Sequence, residues 1–192
     1  GGYLGGVARG DLGVSLKYRD RSVNEIIAQT LPVSALLGAT AFALAFSIGT
    51  AMGVGAASRQ DGALDWSLML LALVGISLPS FVIGPFFILI FGFWLGWAPV
   101  GGWGTLGHLW LPACALAIPY IAYIARLLRV SMLETLGLDF IRTARAKGAS
   151  EPAVLYRHAL KVAALPVVSY SGPLAAGLLT GSMVVEEIFG IP

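Results

Sequence analysis

Acidic and basic side chains are absent from three long stretches of the chain, Ile26 to Ser58, Trp66 to Ala125 and Val162 to Val185, which hold 33, 60 and 24 residues. A helix needs about 20 apolar residues, at about 1.5 Å rise each, to cross the hydrocarbon core of a bilayer. The first and third stretches therefore fit one crossing apiece and the second fits two. Composition agrees: 57% of the 192 residues are hydrophobic and 11% are charged, less than half the usual share of about a quarter. A soluble domain of this size could not cover its surface with so few polar groups, so lipid must do it. The middle stretch divides at Gly96 to His108 (GWAPVGGWGTLGH), where turn residues and indoles suit a short loop at headgroup level. The expected fold class is all-α, a polytopic transmembrane helix bundle with four spans at about 31–57, 66–95, 109–128 and 162–185.

Sidedness follows from the bases. Arg59, Arg126, Arg129, Arg142, Arg145, Lys147, Arg157 and Lys161 fall on one face of this arrangement, against Arg9, Lys17, Arg19 and Arg21 on the other. The positive-inside rule places the eight in the cytoplasm. Residues 1–30 then form an extracytoplasmic segment, and 129–161 a cytoplasmic loop. Within the former, Gly10 to Glu25 mixes charged and apolar residues. It suits either a docking surface for an external protein or an amphipathic segment at the lipid interface. The chain opens GGYLGG without Met or a cleavable signal pattern and closes on Gly190-Ile191-Pro192, so a further segment is expected on each side. The one cysteine, Cys114, falls within a span and offers neither an intrachain disulfide nor a metal cluster.

Prolines recur in pairs within the later spans: Pro79 and Pro85, Pro112 and Pro119, Pro166 and Pro173. Each removes a donor and tends to kink its helix. Small residues recur four apart at Ser34 and Gly38, Gly49 and Gly53, and Gly177 and Gly181, a spacing that lets helix backbones approach. Both features suit a packed bundle as well as a translocation pathway.

The cytoplasmic stretch Ser131 to Lys161 is too long to be a plain connection between helices. Leu138 to Lys147 favours helix, and Gly148 follows the basic Arg145 and Lys147 as a helix-ending residue. Ser150 is a plausible N-cap for a second helix with Glu151 and Pro152 in its first turn, followed by Val154, Leu155 and Arg157. The pattern predicts helix, glycine turn, short amphipathic helix.

With its RTARAKG core at Arg142 to Gly148, the stretch Asp139 to Leu160 resembles the cytoplasmic signature of binding-protein-dependent ABC importer permeases, and within them the peptide and nickel (dipeptide and oligopeptide) subfamily. The wider family's loop reads E-A-A, three residues, then G. Here Arg142, Thr143 and Ala144 fill the first three places and Gly148 the last, while Lys161 stands where a Pro usually follows. Those departures are the ones the peptide-type subfamily shows. Gly10 to Gly13, Ser77 to Phe81, Leu111 to Ala113 and Val184 to Gly190 look like further blocks of that subfamily, so the resemblance runs nearly end to end. It implies a type I importer permease fold with six spans, of which four lie in this chain. It also implies partners: cytoplasmic ATPase subunits of the ATP-binding cassette, a second permease subunit (identical or different), an extracytoplasmic substrate-binding protein, and membrane lipid. Nucleic acid is not among them. Asp139, Arg142, Thr143, Ala144, Arg145, Lys147, Gly148, Ala149, Ser150, Glu151, Leu155 and Arg157 would form the loop that couples to the ATPase. Ala149 to Arg157 would be its coupling helix, and Gly148 would allow close approach of two helices. Otherwise the bases of this loop would only hold it to anionic lipid.

No Lys follows a Gly, so the chain lacks the phosphate-cradling G-K-[ST] pattern and ATP hydrolysis is expected in a separate subunit. His108 and His158 fall on opposite sides of the membrane and cannot share a site, and no cofactor is expected in this chain. Glu186 and Glu187, at the outer end of the last span, are candidates for contact with a passing cation or a docked protein, or else reach headgroup water. The competing reading is a stand-alone secondary transporter or channel. Such a carrier needs buried carboxylates or broken helices at mid-membrane, whereas all four spans lack charge through their centres. The solutes open to a permease of this look are peptides, nickel chelates and glutathione-like molecules, and its place is the inner membrane of a bacterium or archaeon.

Overall fold

A computed structural model describes residues 2–15, 20–179 and 183–191. Lys17, Arg19 and Gly181 lie outside them. Among the described residues the chain is all-α apart from one isolated bridge between Val14 and Ser22. The helices are α1 (Gly2–Val7), α2 (Val23–Ser58), α3 (Ala63–Ser77), α4 (Ser80–Trp94), α5 (Leu106–Leu136), α6 (Asp139–Ala146), α7 (Glu151–Ala163), α8 (Leu165–Leu179) and α9 (Met183–Phe189). Two of them, α2 and α5, are each long and apolar enough to cross a membrane, and the bent pairs α3–α4 and α7–α8 bring the number to four if each pair is one span.

The helix ends differ from the expected boundaries in ways the local chemistry explains. α2 starts at Val23, inside the expected 1–30 segment. Ser22 and Glu25 form a reciprocal capping box: the Glu25 N–H donates to Ser22 Oγ at 3.2 Å, and the Ser22 N–H to Glu25 Oε2 at 3.1 Å. Asn24 ties the preceding loop to this start, accepting the Leu12 N–H at 3.0 Å and donating to the Gly10 carbonyl. α5 passes beyond the expected limit of 128 to Leu136, so residues 129–136 continue the helix of the third expected span instead of forming an irregular connection. Its continuation buries Leu128, Met132 and Thr135 while Arg126 and Glu134 face outward. The helix absorbs Pro112 and Pro119 without a break.

The expected single span 66–95 is two helices meeting at 102°. Pro79 disfavours the helical region for Leu78, which is extended (φ −98, ψ 117), and α4 restarts at Ser80. α4 is wound more widely from Ile88 to Trp94, so its carbonyls accept from five residues on.

α2 lies against α5 through two glycines. A Cβ on Gly49 would stand 2.8 Å from Ile124 Cβ and 2.9 Å from the Ile121 carbonyl, and one on Gly53 would stand 2.8 Å from the Ala125 carbonyl. Nearer its start α2 meets α8, where Gly38 rests directly on the backbone of Leu178 and Leu179. Backbone-to-backbone contact of this kind yields dispersion in lipid, where no hydrophobic drive separates helix from solvent. A Cβ on Gly177 would meet nothing within 4 Å among the described residues, so no such close approach is seen there.

The bundle has two ends. At one, the 96–104 loop meets the chain's last helix, with the Gly102 N–H donating to the Phe189 carbonyl at 2.8 Å. At the other, the 59–62 turn, the end of α5 and the α6–α7 elbow surround a cleft of about 460 Å³.

Candidate functional site

The elbow is built from a helix that must stop and a helix that must start within four residues. α6 buries only Ile141, and that residue joins the hydrophobic core, with α6 lying against the start of α7. Its C-terminus closes with two backbone bonds: the Gly148 N–H donates to the Arg145 carbonyl at 2.9 Å, and the Ala149 N–H to the Ala144 carbonyl at 3.1 Å. This is the Schellman arrangement, which needs a left-handed residue at the turn, and Gly148 supplies it with φ +84. A Cβ on Gly148 would meet nothing within 4 Å. The glycine is therefore required by backbone conformation, which corrects the expectation that it permits close approach of two helices.

Ser150 is extended (φ −67, ψ 151) at the start of α7, and Pro152 occupies the first turn, where its missing donor costs nothing. Ser150 makes no side-chain cap bond, so it is a cap by backbone conformation alone. α7 is wide-wound from Val154 to Ala159, and Val154, Ala159 and Ala163 are buried in the same core as Leu128 and Met132 of α5.

Arg145 and Glu151 close the elbow from outside. Arg145 Nε donates to Glu151 Oε1 at 2.8 Å and Nη2 to Oε2 at 3.2 Å, a two-pronged pair across the Gly148 turn. The Arg145 guanidinium holds the Glu151 carboxyl below the ordinary value of 4.5. A carboxyl with a depressed folded value contributes stability that is in full above its unfolded value and lost as pH falls through the folded one. Lowering pH below the ordinary carboxylate range is therefore expected to loosen the elbow, and Glu151→Gln to loosen it at neutral pH, by the small amount that an exposed pair contributes. The protection factor of the Ala149 amide, with the intrinsic exchange rate at each pH divided out, should fall in the variant at pH 7 and in the wild type only on acidification. Equal exchange in both at pH 7 would show that the pair does not hold the turn.

The structure sorts the expected loop residues into two sets. Arg142, Thr143, Arg145, Lys147, Gly148, Ser150, Glu151 and Arg157 are exposed, and Asp139 is exposed beside Arg142, paired at 3.2 Å. Ala144, Ala149 and Leu155 are partly buried, the latter two packed against the core. Ala149 and Leu155 thus support the elbow from within. Tyr156, 60% exposed on the outer face of α7, was not singled out from sequence; an aromatic among charged neighbours was the signal. Asp65 and Arg129 also escaped notice, because 64 residues separate them.

Glu186 and Glu187 sit far from this elbow, on α9, whose Phe189 packs at Gly84 of α4 and beside the 96–104 loop. Glu187 is exposed, while Glu186 turns one carboxylate oxygen, Oε1, inward with no hydrogen-bond partner among the described residues. Cys114 lines an apolar cavity of about 220 Å³ with Phe87, Phe91 and Trp110. His108 accepts or donates at Nδ1 to Thr105 Oγ1 at 2.7 Å. Among the described residues no three metal-ligating side chains converge.

The family described as binding-protein-dependent transport system inner membrane component matches residues 49–192, from the middle of α2 through the elbow to α9. The chain belongs to this family. It is a multi-pass membrane component, as the apolar helices require. Relatives cover 99% of it: the oligopeptide transport system permease protein OppB of Escherichia coli (strain K12) is 51% identical over 192 residues and that of Haemophilus influenzae is 48% identical, while the dipeptide transport system permease protein DppB of Lactococcus lactis is 44% identical over 190. The chain spans 63% of the length of each of these relatives.

Proposed function

We propose that the chain is the membrane-embedded permease subunit of an ATP-binding cassette importer for peptides. The observation that carries this reading is the match, at about half identity across 99% of the chain, to proteins named as oligopeptide transport permeases. The elbow supports it. A helix, a left-handed turn and a second helix, braced by Arg145–Glu151 outside and by Ile141 and Val154 inside, form a stiff projection able to pass on a push. On this reading the end bearing the eight bases faces the cytoplasm, and the outer face of Arg142, Lys147, Tyr156 and Arg157 meets an ATPase subunit. A second permease subunit completes the pathway, and an external binding protein delivers the solute to the opposite end, where Glu186, Glu187 and the N-terminal segment lie. Peptides fit the named relatives better than nickel or glutathione.

The bends at Leu78–Pro79 (102°) and between α7 and α8 (54°) are of a kind that ion-coupled carriers also use, since such carriers contain discontinuous helices. One experiment separates importer from carrier. Proteoliposomes holding the full-length protein, its partner subunits and a binding protein should import peptide only with ATP inside the compartment that holds the ATPase. Lys147→Cys, in a full-length protein with its other cysteines replaced and its ATPase subunits left out, should react with an impermeant thiol reagent from the side that the ATPase occupies. Uptake driven by an ion gradient without ATP, or labelling from the side of the binding protein, would defeat the proposal.

A further inference from the structure

Asp65 and Arg129 join α3 to α5 through a fork-to-fork ion pair: Arg129 Nε donates to Asp65 Oδ1 at 2.6 Å and Nη2 to Oδ2 at 2.5 Å. The Asp65 side chain is 3% exposed and that of Arg129 22%. A second bond fixes the turn before α3, with the Asp61 N–H donating to Asp65 Oδ2 at 3.0 Å. Asp61 is held at φ 60, a left-handed conformation that a non-glycine residue keeps only under constraint. Asp65 therefore grips both α5 and the α2–α3 turn.

What surrounds the pair gives this grip a direction. Arg129 lies one helical turn before Leu133, and Leu133, Gln60, Arg145 and Glu151 line one cleft, so elbow, turn and α5 meet there. At its far end α3 gives way to the 102° bend at Leu78 and Pro79. Apolar packing could fill such a position at no loss of stability, whereas a buried pair fixes one register between two helices. We propose that Asp65 and Arg129 are a positioning pair which locks α3 to α5, so that a displacement of the α6–α7 elbow reaches the α3–α4 bend. The inference rests on the importer reading above.

Its test uses the full-length protein assembled with its ATPase subunits and binding protein in proteoliposomes, and reads peptide imported per ATP hydrolysed by assembled complex. A pair that only stabilised the fold would change how much complex forms, leaving that ratio intact. Asp65→Asn is expected to lower the ratio about tenfold while hydrolysis continues, a coupling loss of the size that single network residues produce. Arg129→Lys, which keeps the charge and loses the fork, should fall between, and serves where Asp65→Asn does not assemble. The exchange Asp65→Arg with Arg129→Asp should recover part of the loss. An unchanged ratio in Asp65→Asn, or in Arg129→Lys where that is the variant that assembles, overturns the inference. The importer reading fails separately, and takes the inference with it, if wild-type uptake needs no ATP.

Discussion

Replacing Gly38 by Leu should cost the bundle about 3 kcal/mol or more, at the upper end of what overpacking does. The new Cβ would fall on the carbonyl of Leu178 and beside the amide of Leu179, which are backbone atoms of a neighbouring helix and cannot swing aside. α2 and α8 must then separate, and with them goes the contact that carries Leu37, Ala41, Leu174 and Leu178 into the core. Thermal unfolding in detergent should show Tm lower by roughly 6–12 °C, taking about 2–4 °C per kcal/mol for a chain of this size. Gly172→Ala in the same α8 is the control, because a Cβ there meets nothing within 4 Å and adds helix propensity. Equal Tm values in the two variants would mean that α2 and α8 do not pack as described.

Gly38 was legible in the sequence only as half of a small-residue pair with Ser34, and the same rule nominated Gly177, where an added Cβ would meet nothing within 4 Å among the described residues. Spacing reports which backbones could approach, while the partner helix decides which do. The charge-free stretches located the four apolar segments for a sound reason, since desolvated charge is expensive in lipid. They misplaced the ends because charge is tolerated once a helix leaves the hydrocarbon: α5 continues to Leu136 with Glu134 exposed and Met132 buried. The start of α2 was readable in Ser22-Val23-Asn24-Glu25. The break at Pro79 was not: the X-Pro rule permits it, but Pro32, Pro85, Pro112, Pro119 and Pro173 lie inside continuous helices, so the rule does not say which proline breaks the chain. The elbow was read almost residue by residue, since caps, proline and glycine are local signals. Its inward and outward faces were not, because Ala149 and Leu155 turn toward a core formed by distant residues. The Asp65–Arg129 pair had no local signature at all.

At Gly148 the steric argument runs opposite to that at Gly38. Space is open there, and the constraint is φ +84 alone. Asn visits this region readily, a β-branched residue hardly at all. Gly148→Val should therefore strain the turn by about 1–2 kcal/mol or more. The strain can be relieved by giving up the bonds from Gly148 to Arg145 and from Ala149 to Ala144, and with them the fixed angle between α6 and α7. Because about 1.4 kcal/mol shifts an equilibrium tenfold, a marginally held elbow becomes one that opens often. Ile141 and Val154 would still anchor each helix to the core, so the protein should remain in the membrane at normal abundance. Peptide import per ATP should drop about tenfold in Gly148→Val and stay near wild type in Gly148→Asn. A graded loss following side-chain volume, with Asn as impaired as Val, would show that the turn needs room and not a left-handed backbone. Full coupling in Gly148→Val would show that the elbow transmits nothing, which removes the mechanical support for the importer reading while leaving family membership untouched.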